Sequence, residues 1–422
     1  MKIAVIGSGI SGLASALLLD KEHDVTLIEK SHRLGGHANT VRLTVDTQEI
    51  FVDTGFLVFN QKNYPLFTAL LAYLNVDSSD TEMSFSVSDQ KSGFEFRPTG
   101  LRTIFPDISN LHNLSFLNML TEIPRFNFFA RKAMVSEQSY TLGEIIASHK
   151  FSSFLTKYYV TPLASSIWSS SIRDVLEMPV RTYANFMYNH GLISFGNQPT
   201  WKTIPGGSKN YVEAIASRLK YPPRIACQSL SVRRDADGIE IGYANSHPER
   251  FDAIFIATHA NEVLNFLKDP TPAEREFLGK FKFSQNKVLL HLDSSLLPKH
   301  ERVHASWNFH VTEESSQKAT VTYLLNKLQP INIRRPILVS LGMEKFIRDE
   351  AVIDTFDYEH PILDQNAVNG QALLGQIQGY KNTYYTGAWL KYGFHEDGLR
   401  SALEAVKKFY KKTSDRTYTF LE

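Results

Sequence analysis

Three glycines and one acid near the amino terminus carry the clearest chemical signal in this 422-residue chain. Gly7, Gly9 and Gly12 stand in the hexapeptide GSGISG, between the apolar run Lys2–Ile6 and a helical pattern from Leu13 to Leu19. At that spacing Gly7 permits a tight turn, Gly9 lets the backbone approach a pyrophosphate, and Gly12 lets a helix pack close on a strand. The helix start then offers unpaired N–H groups, those of Ile10 and Ser11 among them, to the phosphates. Glu29 ends a second apolar run, Asp24–Ile28. An acid at that point can accept hydrogen bonds from both ribose hydroxyls of an adenosine, and it disfavours a 2′-phosphate.

Such a site needs a strand, a glycine turn, a helix and a second strand in that order, and the chain supplies them. Further on, FVDTGFLVF (Phe51 to Phe59) reads as strand and turn, and LSVRRDADGIEIGYA as a hairpin turning near Asp237 and Gly238. FDAIFIATHA is a buried strand ending in small residues, Ala257 among them. The predicted fold class is α/β, with a Rossmann-like domain assembled from residues 1–76, 200–276 and 358–422 and an inserted α+β unit from 77–199 and 277–357. Two units suit a length that exceeds what one core usually serves. The segment 77–199 is dense in aromatics, including Phe126, Phe128 and Phe129 beside Arg125, Arg131 and Lys132. Most of these read as core of a helical subdomain; a sharper reading has some of them line an apolar tunnel or touch a membrane surface.

Composition narrows the function classes. Forty-five Lys and Arg against 44 Asp and Glu leave a formal charge of +1, so nothing electrostatic argues for a nucleic-acid partner. The single cysteine, Cys227, excludes disulfide frameworks and thiolate zinc sites and fits a reducing, cytosolic setting. No metal site is expected. A GxSxG elbow and a second full GxGxxG are absent, which argues against a serine hydrolase and a separate NADPH domain. No run approaches the roughly 18 to 20 apolar residues of a membrane span. The expectation is a cytoplasmic protein, at most peripheral to the inner face of a membrane.

Directly after Glu29 the chain reads KSHRLGGHANT, and this ExxxRxGG pattern resembles the flavin-containing amine oxidase superfamily. The resemblance implies FAD, held non-covalently because Cys227 lies in the wrong context for a flavin tether. It lays Lys30, Arg33, Leu34, Gly35, Gly36, His37 and Thr40 along the cofactor, with His37 where many members carry a second arginine. It brings Gly55, Phe56 and Leu57 near the flavin ring, the backbone of Val232 to the adenine, and Ala257 again near the cofactor. In the carboxy-terminal block YYTGAWLKYGFHEDGLRSALEAV it puts Gly387 by the pyrophosphate and Phe394, His395 and Glu396 by the pyrimidine edge of the flavin. The helix that follows would point its dipole at flavin N1. Trp389 stands where many relatives place an acid for the ribityl hydroxyls.

For catalysis, FSQNKVLLHLD resembles the strand on which many amine oxidases carry a lysine that holds a water near flavin N5. Lys287 is the candidate, although strand alternation puts Asn286 and Lys287 on opposite faces and either could be the functional one. His395 and Asp397 are the other candidates, as proton carriers at neutral pH; helix capping by Glu396 or Asp397 is the competing reading. His190 and His360 read as structural. The strings IWSSS, NHGLISF, SWN, YEHPI and GAWLKYGFHEDGL resemble a bacterial branch of the superfamily often encoded beside cyclopropane-fatty-acid synthases. The expected function is FAD-dependent oxidation of an apolar substrate, a lipid or fatty-acyl chain, by hydride transfer to flavin N5, with oxygen or another acceptor taking the electrons. An amine substrate and a non-catalytic, flavin-bound lipid-binding protein are the alternatives.

Overall fold

Ile3, Ala4, Val5 and Ile6 are all buried, as a strand covered on both faces requires. In the computed structural model this strand, Lys2–Ile6, sits inside a parallel sheet of order Thr383–Tyr385, Ala253–Ile256, Lys2–Ile6, Asp24–Ile28. The structure describes residues 1–136, 139–192, 199–244 and 246–413. The sheet therefore gathers the beginning, the middle and the end of the chain. Alternation divides its side chains. Ile3, Val5, Val25, Leu27 and Phe255 face a core closed by the helices Ile10–Leu19 and His395–Thr413. Ala4, Ile6, Ile254 and Ile256 face a second core with Val232, Ile239 and Trp389.

A second, seven-stranded sheet runs in the order Val352–Ile362, Lys282–His291, Leu338–Leu341, Val321–Leu324, Trp307–His310, Phe85–Asp89, Phe94–Phe96. Only the pair Trp307–His310 and Phe85–Asp89 is parallel. A helical layer containing Leu114–Met134 and Val180–Asn189 closes an aromatic core with Phe309 of this sheet. The division expected between residues 357 and 358 falls inside one strand, because Val352–Ile362 pairs along its length with Lys282–His291. Continuous ladder hydrogen bonding makes that strand a single element of the second sheet.

Within the FNFF cluster, Phe126 is fully buried and Phe129 packs on His149 at 3.8 Å, so only Phe128 faces outward. Among the described residues no helix is long and apolar enough to cross a membrane. The run His300-Glu301-Arg302-Val303-His304 has the spacing HExxH, yet it forms one 3-10 turn over Glu301–Val303 and His304 Nε2 lies 2.8 Å from the Pro298 carbonyl. No group of three or more potential metal ligands occurs among the described residues.

Burial makes the fold sensitive to acid. It pushes His190, His291, His310 and His360 down to about 4 and His395 to about 3. The native state therefore binds fewer protons than the unfolded chain from about pH 4 to 6.5, and stability rises with pH across that window. Asp53 and Asp397, which burial pushes up to about 6 and about 7, and Glu396, which burial also pushes up, work the other way. Five imidazoles outweigh three carboxyls, so the thermal midpoint is expected to fall on acidification from pH 6.5 to 4.5. A midpoint that is flat or rises over that range in a thermal-shift series would contradict the burial of these rings.

Candidate functional site

The amino-terminal turn has the geometry its glycines were expected to allow. Gly7 adopts φ +98°, and a Cβ there would lie 2.8 Å from the Ala257 carbonyl oxygen, so the turn lies against the end of the strand Ala253–Ile256. A Cβ on Gly12 would lie 1.8 Å from the Gly7 oxygen. A Cβ on Gly9 would meet nothing within 4 Å. Gly9 is also the N-cap of the helix Ile10–Leu19 and provides no side-chain acceptor for its first turn. Open space beside uncapped N–H groups fits an anion.

Glu29 is buried and pinned: Oε2 accepts from Ser8 N at 2.8 Å and Ser8 Oγ at 2.6 Å, while Oε1 accepts from Ser31 N at 2.8 Å. The loop that follows folds back over the glycine turn. Gly35 N donates to Ser8 O at 3.0 Å, and a Cβ on Gly36, whose φ is +59°, would lie 3.1 Å from Gly9 Cα. Arg33 reaches around its own loop to the Ala38 carbonyl at 3.3 Å, and Leu34 packs on the first core. Lys30 is ion-paired with Glu262. Cys227 N donates to Glu29 O at 3.0 Å, which places the cysteine at the adenosine end of this cradle.

Several residues assigned to the cofactor also make contacts within the protein. Thr40 Oγ1 donates to buried Asp53 at 2.5 Å and accepts from Lys209 N, tying two strands to the helix Lys209–Ala216. Asp53 also accepts from Ser208 N at 2.9 Å and Gln329 Nε2 at 3.0 Å; burial pushes its carboxyl up to about 6 despite these donors. Gly55 gives close approach to the His37 carbonyl, 2.2 Å from where its Cβ would be, and Phe56 N donates to that oxygen. Leu57 is buried among Val52, Val321 and Tyr358. Val232 has its carbonyl bonded to Lys268 N and its side chain in the second core.

The carboxy-terminal block changes most. Trp389 is buried against Phe277 and Phe281, its indole N–H on the Thr258 carbonyl at 3.1 Å, and Gly387 leaves room for that ring. It packs in the second core with Ile6 and Ile256, its indole N–H on the segment that abuts the glycine turn. Glu396 accepts from Leu66 N at 3.2 Å and Phe67 N at 3.0 Å, and so caps the helix Pro65–Leu74. Asp397 accepts from Phe394 N at 3.0 Å and caps its own helix, with burial pushing its carboxyl up to about 7. His395 stacks on Phe56 at 3.5 Å and shares a hydrogen bond with Tyr211 Oη at 3.0 Å. Burial leaves that imidazole neutral, so it is a poor proton carrier near pH 7.

Lys287 is exposed and aligned with Asp357 in the register of the long hairpin. Asn286, on the opposite face, is buried, with Nδ2 2.9 Å from His360 Nδ1. The strand thus presents Asn286, not Lys287, to a cluster that sequence reading missed: His37, His259, Tyr358 and His360. The His37 ring lies 5.0 Å from Tyr358, 5.1 Å from His360 and 5.9 Å from His259. Asn39 Nδ2 donates to Tyr358 Oη at 2.9 Å, and Thr54 Oγ1 lies 2.7 Å from it. The motif YEHPI was visible in sequence; its place beside His37 was not. Next to it, Phe394 stacks on Phe186 at 4.6 Å, with Trp168 and His190 completing an aromatic wall. The string NHGLISF runs beyond Leu192 into residues 193–195, outside the described residues.

Comparison with known proteins agrees with this geometry. The model of the flavin containing amine oxidoreductase family matches residues 10–330. An L-amino-acid oxidase of Siganus canaliculatus is 22% identical over 290 residues, 65% of this chain and 53% of that protein, so the chain spans about half the length of this curated relative. The cyclohexylamine oxidase of Brevibacterium oxydans IH-35A superposes with a TM-score of 0.69 at 13% identity, covering 98% of this chain and 99% of that one. The CLA-producing fatty acid isomerase of P. acnes does so with a TM-score of 0.67 at 14% identity, covering 97% and 98%. These likenesses share the fold. With its open Gly9, uncapped helix start and pinned Glu29 fitting the adenosine and pyrophosphate of FAD, the chain belongs to the flavin-containing amine oxidoreductase family.

Proposed function

We propose that this chain is an FAD-dependent oxidoreductase that oxidises an apolar substrate, a lipid or fatty-acyl chain. The carrying observation is the wall of Trp168, Phe186, His190 and Phe394 beside the start of the helix His395–Thr413. His190 stacks on Phe186 at 3.8 Å and is kept neutral by burial, and the nearby Asp397 spends its carboxylate on backbone N–H groups. Such a wall excludes water and orients an apolar chain without neutralising a charge. When bound, FAD supplies the hydride acceptor at N5. The chain's own part is to hold the cofactor by its glycine turn and Glu29, and to aim the helix dipole at the flavin. That one fold neighbour acts on a fatty acid supports a fatty-acyl chain as a substrate such a frame can hold.

Anaerobic titration tests this reading. Bleaching of the flavin absorbance by unsaturated or saturated acyl lipids is the expected result, with re-oxidation on admitting air if oxygen is the acceptor. Bleaching by amines alone would replace the lipid substrate with an amine, and no bleaching by any candidate would leave a flavin-bound accessory protein. A Lys287→Met variant is expected to reduce within about twofold of the wild-type rate, because its side chain lies outside the site. A loss of a hundredfold would return Lys287 to it.

The same reading gives the protein a bilayer-facing surface. Leu101, Ile108, Leu111 and Leu114, between 48% and 79% exposed, lie within one short stretch beside exposed Arg102. Exposed aliphatics next to a basic side chain suit an anionic bilayer. Co-sedimentation with anionic vesicles is expected and should be lost in an Ile108→Asp, Leu114→Asp variant; equal sedimentation would remove this surface from the proposal.

A further inference from the structure

The last helix, His395–Thr413, borders a cavity of about 610 Å³. Glu404, Lys407, Lys408 and Lys411 line it from one helix face, at the i, i+3, i+4, i+7 spacing that aligns side chains along a helix. Lys412 and Tyr384 stand beside them. A second cavity, of about 230 Å³, shares Glu404 and continues the groove past Arg400 and Lys391. No lining residue belongs to the glycine turn or to the loop that returns over it, so the groove is separate from the cofactor cradle. Four lysines in the larger cavity thus meet one carboxylate. The helix dipole accounts for basic residues in the last turn, here Lys411 and Lys412. It leaves Lys407 and the floor of the cavity unexplained.

That floor holds a buried hydroxyl. Tyr384 is 1% exposed, with its ring stacked on Phe255 at 4.8 Å, yet it lines the cavity, and its Oη has no hydrogen-bond partner among the described residues. Gly379, at φ +85°, keeps the hydroxyl uncovered, since a Cβ there would lie 3.5 Å from Tyr384 Oη. Burial pushes the phenol up to about 12, so it stays an O–H donor at neutral pH. Lys408 and Lys412 bridge the groove by donating to the carbonyls of Gly375 and Gly379 at 3.4 and 3.1 Å, which fixes its width. Lys407 and Lys411 make no hydrogen bond or ion pair among the described residues. Two unpaired ammonium groups one helical turn apart, roughly 6 Å between their Cβ atoms, and a hydroxyl donor at the floor call for a ligand with several anionic acceptors. A triphosphate presents them over a comparable span, and a small molecule can enter the cleft to reach the hydroxyl as a flat bilayer cannot. We infer that this groove is a second ligand site of the protein, taking a soluble polyphosphorylated small molecule of the nucleoside triphosphate class, with Tyr384, Lys407 and Lys411 donating to its phosphate oxygens.

The test is calorimetric titration of the FAD-saturated protein with inorganic tripolyphosphate and with ATP, beside a thermal-shift series. Saturating FAD keeps the cofactor's own pyrophosphate position filled. Wild type is expected to bind both probes and to lose affinity as sodium chloride is raised, because exposed charges are screened. A Lys407→Gln, Lys411→Gln double variant should bind at least about tenfold more weakly, having lost two charge-assisted hydrogen bonds. Its flavin content and its thermal midpoint without probe should match wild type, since neither lysine has a partner to lose. Tyr384→Phe keeps the ring in its core and should also bind more weakly, through loss of the hydroxyl alone. Wild-type affinity in either variant, absence of binding by wild type, or binding confined to vesicles containing phosphatidic acid overturns the inference.

Discussion

Glu274→Ala is expected to cost about 3–5 kcal/mol of stability, because it leaves a buried guanidinium without its charge partner. The side chains of Arg234 and Glu274 are 1% and 0% exposed. Their pairing is bidentate, Nη1 to Oε1 at 2.5 Å and Nη2 to Oε2 at 2.8 Å, and Tyr385 Oη and Thr271 N both donate to the same carboxylate at 2.7 and 2.8 Å. Burial pushes the Glu274 carboxyl up, and Arg234, Tyr385 and Thr271 outweigh it, leaving it at about 2. Arg234 further donates to Asp269 and Thr383, so one guanidinium ties the strand Leu230–Asp235, the helix Pro272–Leu278 and the strand Thr383–Tyr385 together. Urea unfolding should show the loss, and an Arg234→Met, Glu274→Met double variant should recover much of it, since the desolvation cost disappears with the charges. A Glu274→Ala protein within 1 kcal/mol of wild type, on the scale at which buried pairs are measured, would show that the clamp is not a structural tie.

Gly12→Ala should yield protein without bound flavin and with stability lowered by about 3 kcal/mol or more. The added Cβ would fall 1.8 Å from the Gly7 oxygen and 3.1 Å from the Ala257 Cβ, so the helix must leave the strand and the turn must open. Gly9→Ala is the informative companion. Nothing in the protein lies within 4 Å of the new methyl group, so the apoprotein should unfold at the wild-type temperature while its FAD affinity drops. Thermal midpoints of the two apoproteins and flavin content of the two purified proteins separate packing from cofactor approach. Wild-type affinity in Gly9→Ala would mean that the pyrophosphate lies elsewhere.

Sequence reading succeeded where a residue's role depends on its immediate neighbours. GSGISG makes the expected turn because positive φ at Gly7 and helix-on-strand contact at Gly12 are local requirements. Glu29 and the Gly35–Gly36 pair follow from it at short range. Glu396 and Asp397 were legible as caps, though Glu396 serves a helix more than 300 positions away. The packing of Trp389 on Phe277 and Phe281 was not legible, because those rings lie more than 100 positions away in the chain.

By itself, then, the sequence determined the dinucleotide turn, the loop returning over it and the family to which both belong, since each rests on backbone conformations that a few adjacent residues dictate. The tertiary structure decided which face of the strand Lys282–His291 looks inward, making Asn286 and not Lys287 the neighbour of His360. It also decided that His37, His259 and His360 meet, although they come from separate segments of the chain. Strand pairing and sheet stacking set those relations, and a change of one residue in register would reverse them without altering any local pattern.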